Sequence, residues 1–281
     1  MIIKGIWKTG VAAVAITLAA ATFIMRADDW KRLNSTVTVT RIIPQIVFGS
    51  LDGGLTRYTT YIQIINTGSA TVSVNADFYK ANAGGVAGTP STASFTKTVD
   101  SATTPFTGTL TATSLAVNRS ILLTAASTGA GDVNWGSITA TGNITVSAVF
   151  EIRDGVTGAL HSRVGVAASP ADMKQFVIPR NRSIQAGLDV GFAIVNTGTT
   201  AATASVELRD ALGNSLATRN LTLEAKGHHA EFTSQFFTAL TDVAGNNFHS
   251  LTFTSTSPQF AALALAIEGA NLASLPVERL Q

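Results

Sequence analysis

A pentapeptide that occurs twice sets the terms on which this chain can fold. Ile64-Ile65-Asn66-Thr67-Gly68 and Ile194-Val195-Asn196-Thr197-Gly198 stand 130 positions apart, each flanked by runs that alternate apolar and polar residues. Alternation of period two sends successive side chains to opposite faces of a strand, and Asn and Gly tolerate the positive φ of a tight reversal. Each copy therefore reads as strand, turn, strand. Ile62 and Ile64 are expected inward before the first turn, with Val72, Val74, Ala76 and Phe78 inward after it and Ser73, Asn75, Asp77 and Tyr79 outward. The second copy repeats the pattern with Phe192 and Ile194, then Ala202, Ala204, Val206 and Leu208, alternating with Thr203, Ser205, Glu207 and Arg209. A match of this length and phase implies internal duplication.

Further blocks extend the match. Ile43-Pro44 aligns with Ile178-Pro179, and Ile138–Thr141 with Leu251–Thr254. The run Val146–Ile152 aligns with Ala261–Ile267, and each half closes on a short strand near Leu160–Val166 and Leu272–Val277. Pro44 cannot donate to a ladder, so its strand should lie at an edge or contain a break. No stretch after residue 30 keeps a 3.6-residue period, although a short helical turn fits near Ser234–Leu240. The expectation is an all-β chain of two tandem β-sandwich domains, immunoglobulin-like by first choice and jelly roll by second, preceded by an N-terminal signal or anchor helix. Domain 1 spans 41–168 and domain 2 spans 174–281, joined by a linker at 169–173; residues 28–40 are a spacer and first strand. The copies differ most at 81–114, a Gly-, Ser- and Thr-rich insertion where the second half has a compact hairpin at Leu216–Glu224, so its loops are candidates for a binding surface.

Residues 1–27 carry Lys4 and Lys8, an apolar run from Val11 to Met25 and a small residue before Asp28-Asp29. That is the order of a secretory signal peptide, with cut points after Ala21 or Ala27; an uncleaved anchor and a pilin-type leader cut after Gly5 are the other readings. Cleavage after Ala27 removes three of the 19 Lys and Arg and none of the 17 Asp and Glu, leaving a net charge of −1. A surface so nearly neutral does not predict nucleic-acid binding, which rests on Lys and Arg neutralising phosphates. There are no cysteines, which excludes disulfides, thiolate metal sites and a Cys nucleophile.

Chemistry is thinly represented. His228 and His229 follow Lys226-Gly227 and are expected at an exposed hairpin tip, while His161 and His249 lie far off in sequence, so a metal site would need several loops to converge. There is no Gly-x-Ser-x-Gly elbow, acidic calcium loop or phosphate-binding Gly motif. Asp77 and Glu207 occupy equivalent outward positions, which a solvated face explains. No catalytic, metal or cofactor residues are assigned. Arg57, Tyr58, Tyr61 and Trp135 form a candidate ligand surface, because aromatic faces stack on the apolar faces of sugar rings. Phe260–Ile267 is apolar on both faces, and its Ala face, Ala262, Ala264 and Ala266, is a candidate packing surface that another domain, a loop or a neighbouring molecule would cover. Asn-x-Ser/Thr sequons fall at Asn34, Asn118, Asn143, Asn181 and Asn220, weak pointers to glycosylation in so Thr-rich a chain.

The Asn-Thr-Gly turn followed by alternating Thr, Val and Ala, together with the Ile43-Pro44-Gln45-Ile46-Val47-Phe48 entry, resembles immunoglobulin-like modules repeated in exported bacterial proteins. The resemblance covers residues 41–281 and implies a fold, not an activity. Such modules serve as spacers, adhesins and accessory domains. The expectation is a secreted or cell-envelope, non-catalytic protein acting through its surface in adhesion, scaffolding or assembly. It would have a protein or glycan partner, no nucleic acid, and membrane contact only through residues 1–27 if uncleaved. Carbohydrate binding through domain 1 loops is the alternative, and a pilin-like filament subunit the third reading.

Overall fold

A computed structural model describes residues 37–50, 52–183, 187–238, 247–269 and 271–280. The expected signal or anchor at 1–27 and most of the spacer lie outside the described residues. In the first half the strands are β1 (Val39–Phe48), β2 (Thr56–Asn66), β3 (Val72–Lys80), β4 (Thr89–Pro90), β5 (Ser94–Val99), β6 (Ala102–Thr107), β7 (Thr109–Leu115), β8 (Ser120–Ala126), β9 (Asp132–Ala140), β10 (Ile144–Asp154) and β11 (Leu160–Ala167). The second half has β12 (Gln175–Arg182), β13 (Leu188–Asn196), β14 (Ala202–Arg209), β15 (Ser215–Leu223), β16 (His228–Phe232), the helical turn α1 (Thr233–Phe236), β17 (Asn247–Ser255), β18 (Phe260–Glu268), β19 (Asn271–Leu275) and β20 (Glu278–Arg279). All strand pairing within the four sheets is antiparallel.

The two halves share one strand order. One sheet of the first half runs β1-β9-β3 with β7 beyond β3, and its counterpart runs β12-β17-β14-β15; the other runs β11-β10-β2-β8, and its counterpart β19-β18-β13-β16. The alternation read from sequence is observed: Val72, Val74, Ala76 and Phe78 are buried in the first half, and Ala202, Ala204, Val206 and Leu208 in the second. Pro44 sits in an edge strand and also beside a register break between Ile43 and Ile46, so both ways of accommodating a missing donor are used.

The repeated turn works differently from the sequence expectation. Neither Gly68 nor Gly198 has a positive φ. The Asn side chains make the turn instead, each fully buried. Asn66 accepts the Gly68 N–H on Oδ1 at 2.9 Å, while its Nδ2 donates to the carbonyls of Ala70 (2.8 Å) and Leu115 (2.9 Å). Asn196 repeats this with Gly198 (2.8 Å), Thr200 (2.7 Å) and Leu223 (3.1 Å). Each amide ties the end of one strand to the start of the next and to the end of a third. A Cβ on Gly198 would stand 2.5 Å from the side-chain oxygen of Gln259, a contact that a shift of that flexible side chain relieves.

Pairing registers correct the sequence alignment near the C-terminus. Ala76 pairs with Ile138 and its equivalent Val206 with Phe253, whereas Asn66 pairs with Ile144 and Asn196 with Phe260. Three residues, Thr141–Asn143, join β9 to β10, but four, Thr256–Gln259, join β17 to β18. The equivalent of Val146 is therefore Ala262, not Ala261, and a slip of one residue exchanges the two faces of a strand. Ala262 and Ala264 point into the second half's own core with Phe260, and the half-buried Ala266 shares their face. The face that covers the other half carries Ala261, Leu263 and Leu265. The Ala face expected as a packing surface is thus covered by the second half's own core, and it is the opposite face that meets the first half.

That contact welds the halves together. Leu263 and Ala193 join the first half's core, and Ile42, Trp135, Val195 and Ala261 form a small cluster of their own between the sheets. The linker is pinned by Ile42 N–H to Ser169 O (2.9 Å), Ser169 N–H to Ile42 O (2.8 Å) and Met173 N–H to Phe260 O (2.9 Å). The first part of the 81–114 insertion is a clamp. The Glu224 N–H donates to Gly85 O (2.8 Å) and the Gly88 N–H to Ala225 O (3.0 Å). A Cβ on Gly88 would lie 2.1 Å from the Lys226 carbonyl oxygen, so only glycine permits this approach. The rest of the insertion, the β5–β6 hairpin, widens the sheet beyond β8. From Val37 onward the chain is one compact unit.

Candidate functional site

The outer face of the sheet β16-β13-β18-β19 packs on the first half along a wedge. At its closed end Val195 and Ala261 meet Ile42 and Trp135. The Trp135 ring is fully buried, stacks on Tyr79 at 4.5 Å and donates its Nε1–H to Lys226 O at 3.1 Å. The Lys226 ammonium lies 5.7 Å over the Tyr79 ring and donates to the Thr197 carbonyl, and burial lowers its pKa.

Toward the other end of the strands the wedge opens into a cleft of about 490 Å³. Val47, Tyr58, Phe150 and Ile152 form one wall; Phe232, Leu265, Ile267 and Leu272 form the other. A second lobe of about 280 Å³ continues between Gly191, Ala193 and Leu263, sharing Gln45, Phe232, Leu265 and Ile267 with the first. An apolar cleft of this size between two packed units, with a few polar groups, is the usual form of a small-molecule site. His161 lines the cleft and its Nε2 lies 3.8 Å from Asp154 Oδ2. Asp154 is held below the usual carboxylate range by the Thr157 N–H and hydroxyl and the Val156 N–H. Burial, aided by the charge of Asp52, raises the Tyr58 phenol. Asp52 is itself lowered to about 2 by the Thr56 side chain and N–H, with help from the Ser50 hydroxyl.

The four residues of the expected ligand surface do not come together. Arg57 and Tyr61 share the outer face of β2, four residues apart, but Tyr58 alternates to the opposite face and into the cleft. Trp135 is buried in the seam, because its strand turns that face toward the second half instead of water. On the Arg57 and Tyr61 face, the carboxylate of Glu151 is buried beneath Arg153 (Nε to Oε1, 2.5 Å) and Arg163 (Nε to Oε2, 2.9 Å). Burial opposes its ionisation, yet the two guanidiniums outweigh burial and lower its pKa. Arg57 stands directly across from Arg153, so the face is positively charged around one internal carboxylate.

His228 corrects another expectation. It is 4% exposed, not at a solvated tip, because it faces the first half from β16. Burial and the adjacent His229 lower its pKa to about 4, against the opposing contact with the Pro44 carbonyl. His229 lies on the opposite face, with Nε2 3.0 Å from Glu231 Oε2. Among the described residues no three His, Cys, Asp or Glu side chains converge to hold a metal ion. Sequence reasoning missed Gln45, Phe232, Leu265, Ile267 and Leu272. The unexplained apolarity of both faces of β18 was the one signal pointing toward them.

No protein-family model matches this chain, and no curated protein does. Among solved structures, vicilin from tomato (Solanum lycopersicum) is similar at 8% identity and a TM-score of 0.18, over 74% of this chain and 77% of that one. The pilus backbone of Streptococcus pneumoniae is similar at 12% and 0.14, over 87% and 94%. A lectin from Pleurotus ostreatus, solved with GalNAc, is similar at 6% and 0.15, over 85% and 82%. Similarities this low carry no argument about what the chain does.

Proposed function

We propose that this chain is an exported, non-catalytic interaction protein of the cell envelope or extracellular space, acting as a rigid double sandwich in adhesion, scaffolding or assembly. The observation that carries this reading is the seam. Shared core residues, a pinned linker and a glycine clamp hold four sheets in one body, which suits a part that presents surfaces at fixed spacing. Each half reads as a relative of the immunoglobulin-like sandwich. The β2–β8 and β3–β9 pairs stand where that fold pairs its B–E and C–F strands, while the first strand and the strand after β9 have exchanged sheets. Mass spectrometry of the mature N-terminus from cell and culture fractions tests the reading. A processed chain in the envelope or medium is expected, and an unprocessed cytoplasmic chain sinks it; a cut after Gly5 would favour the pilin-like alternative.

Carbohydrate binding remains as the second reading, moved from loops to the outer face of β2, where Arg57 and Tyr61 stand beside Arg153 and Arg163. A ring stacked on Tyr61 with a carboxylate or sulfate toward Arg57 fits that surface. A glycan array that includes acidic sugars should show saturable binding lost in Tyr61→Ala and Arg57→Ala. Binding equal in both variants removes this reading.

A further inference from the structure

The geometry points to the seam cleft as a binding site for a neutral amphiphile, an apolar chain or ring system ending in a hydroxyl. This stands apart from the envelope role proposed above. Three observations carry it. First, the walls of both lobes are mainly aliphatic and aromatic, and no Lys or Arg is among the described residues lining either lobe. Glu151 is already engaged by Arg153 and Arg163, and Glu231 by His229. A ligand carboxylate or phosphate would lose water there without meeting a cation, which is expensive in an apolar site.

Second, Gln45 lines both lobes where they meet, and its Oε1 is buried without a hydrogen-bond partner among the described residues. A buried carbonyl left unpaired costs about 1–3 kcal/mol, and a ligand that supplies the missing donor recovers part of that. A hydroxyl both donates and accepts, and so pairs with either end of the amide. Third, the two copies diverge here: the register break between Ile43 and Ile46 sets two residues, Pro44 and Gln45, where the second half has Pro179 alone, since Arg180 pairs with His249 as Ile46 pairs with Asn134.

The test uses the full mature chain and the neutral dye Nile red. Uptake should be saturable at one dye per chain, and 1-decanol should displace it at a concentration about tenfold lower than decanoate at pH 8. Gln45→Leu should keep the fold and dye uptake while weakening displacement by 1-decanol about threefold and leaving displacement by decanoate unchanged. Ile267→Trp, which fills the junction of the lobes, should abolish uptake. Absence of saturable uptake, equal displacement by decanol and decanoate, or an unchanged preference in Gln45→Leu overturns the proposal. If Ile267→Trp does not fold, the Gln45→Leu comparison decides alone, since removing an unsatisfied polar atom leaves the core intact.

Discussion

At Asn66 and Asn196 one buried amide closes a turn and ties down a third strand, so loss of either side chain orphans several backbone groups at once. Asn66→Ala and Asn196→Ala should each cost roughly 2–3 kcal/mol in urea unfolding, and Asp should not rescue, because it keeps the acceptor for the glycine N–H but cannot donate to the carbonyls. An Asp variant as stable as the parent would refute this account. Asn134 poses the opposite case: it is fully buried with neither amide atom bonded among the described residues. Asn134→Leu should therefore raise the thermal midpoint, by about 1–3 kcal/mol of stability. His228 makes stability depend on pH. Its folded-state value of about 4 lies below its ordinary 6.5, so the unfolded chain takes up the proton first as pH falls. The contribution is complete above about pH 6.5 and lost progressively down to about pH 4, a total of roughly 3 kcal/mol. His228→Gln should flatten that slope in unfolding curves taken across this range, and an unchanged slope would assign the acid sensitivity elsewhere.

Among the elements, the segment at 82–88 shows how a stretch that reads as a loose loop can be structural. Its backbone hydrogen bonds run to residues 224–225 of the other half, and Gly88 has no room for a methyl group. Gly88→Ala should cost about 1–3 kcal/mol by forcing the clamp open, seen as a lowered thermal midpoint; Gly84→Ala, whose Cβ would meet nothing within 4 Å, should cost less than half as much despite its positive φ. The strands of the repeated turn were legible because one face meets the core and the other water, so composition carries phase. In β18 both faces are apolar, and the phase signal vanishes. Only the connecting turns then fix the face, and one extra residue between Ser255 and Phe260 reversed it. Tyr58 and Tyr61 are a smaller instance: three positions along a strand put them on opposite sides, and nearness in sequence concealed it.

For the whole molecule, the seam predicts a single unfolding transition. Trp135→Ala and Leu263→Ala, one in each half, should each destabilise the entire body by roughly 2–5 kcal/mol, and calorimetry should show one peak moving as a unit. Two separable peaks in the parent chain would show that the halves fold independently. The cleft was not legible in the sequence because its walls come from strands far apart in the chain, and the local pattern of each strand is satisfied by core packing alone. What sequence could register was the surplus, apolar residues on a face that should have been wet.

That surplus bears on how many copies such a chain can hold. A tandem repeat extends when every unit offers the same wet exterior, so that another can be appended like a bead. Here the exterior of the second unit has been spent on the first, through Val195, Ala261 and Leu263, and the first has answered with Ile42 and Trp135. The relation is one of unlike partners, each shaped to the other. Copying either unit again would produce a module whose greasy flank has no mate. The pair is therefore closed to growth by further duplication, and either unit expressed alone should be insoluble.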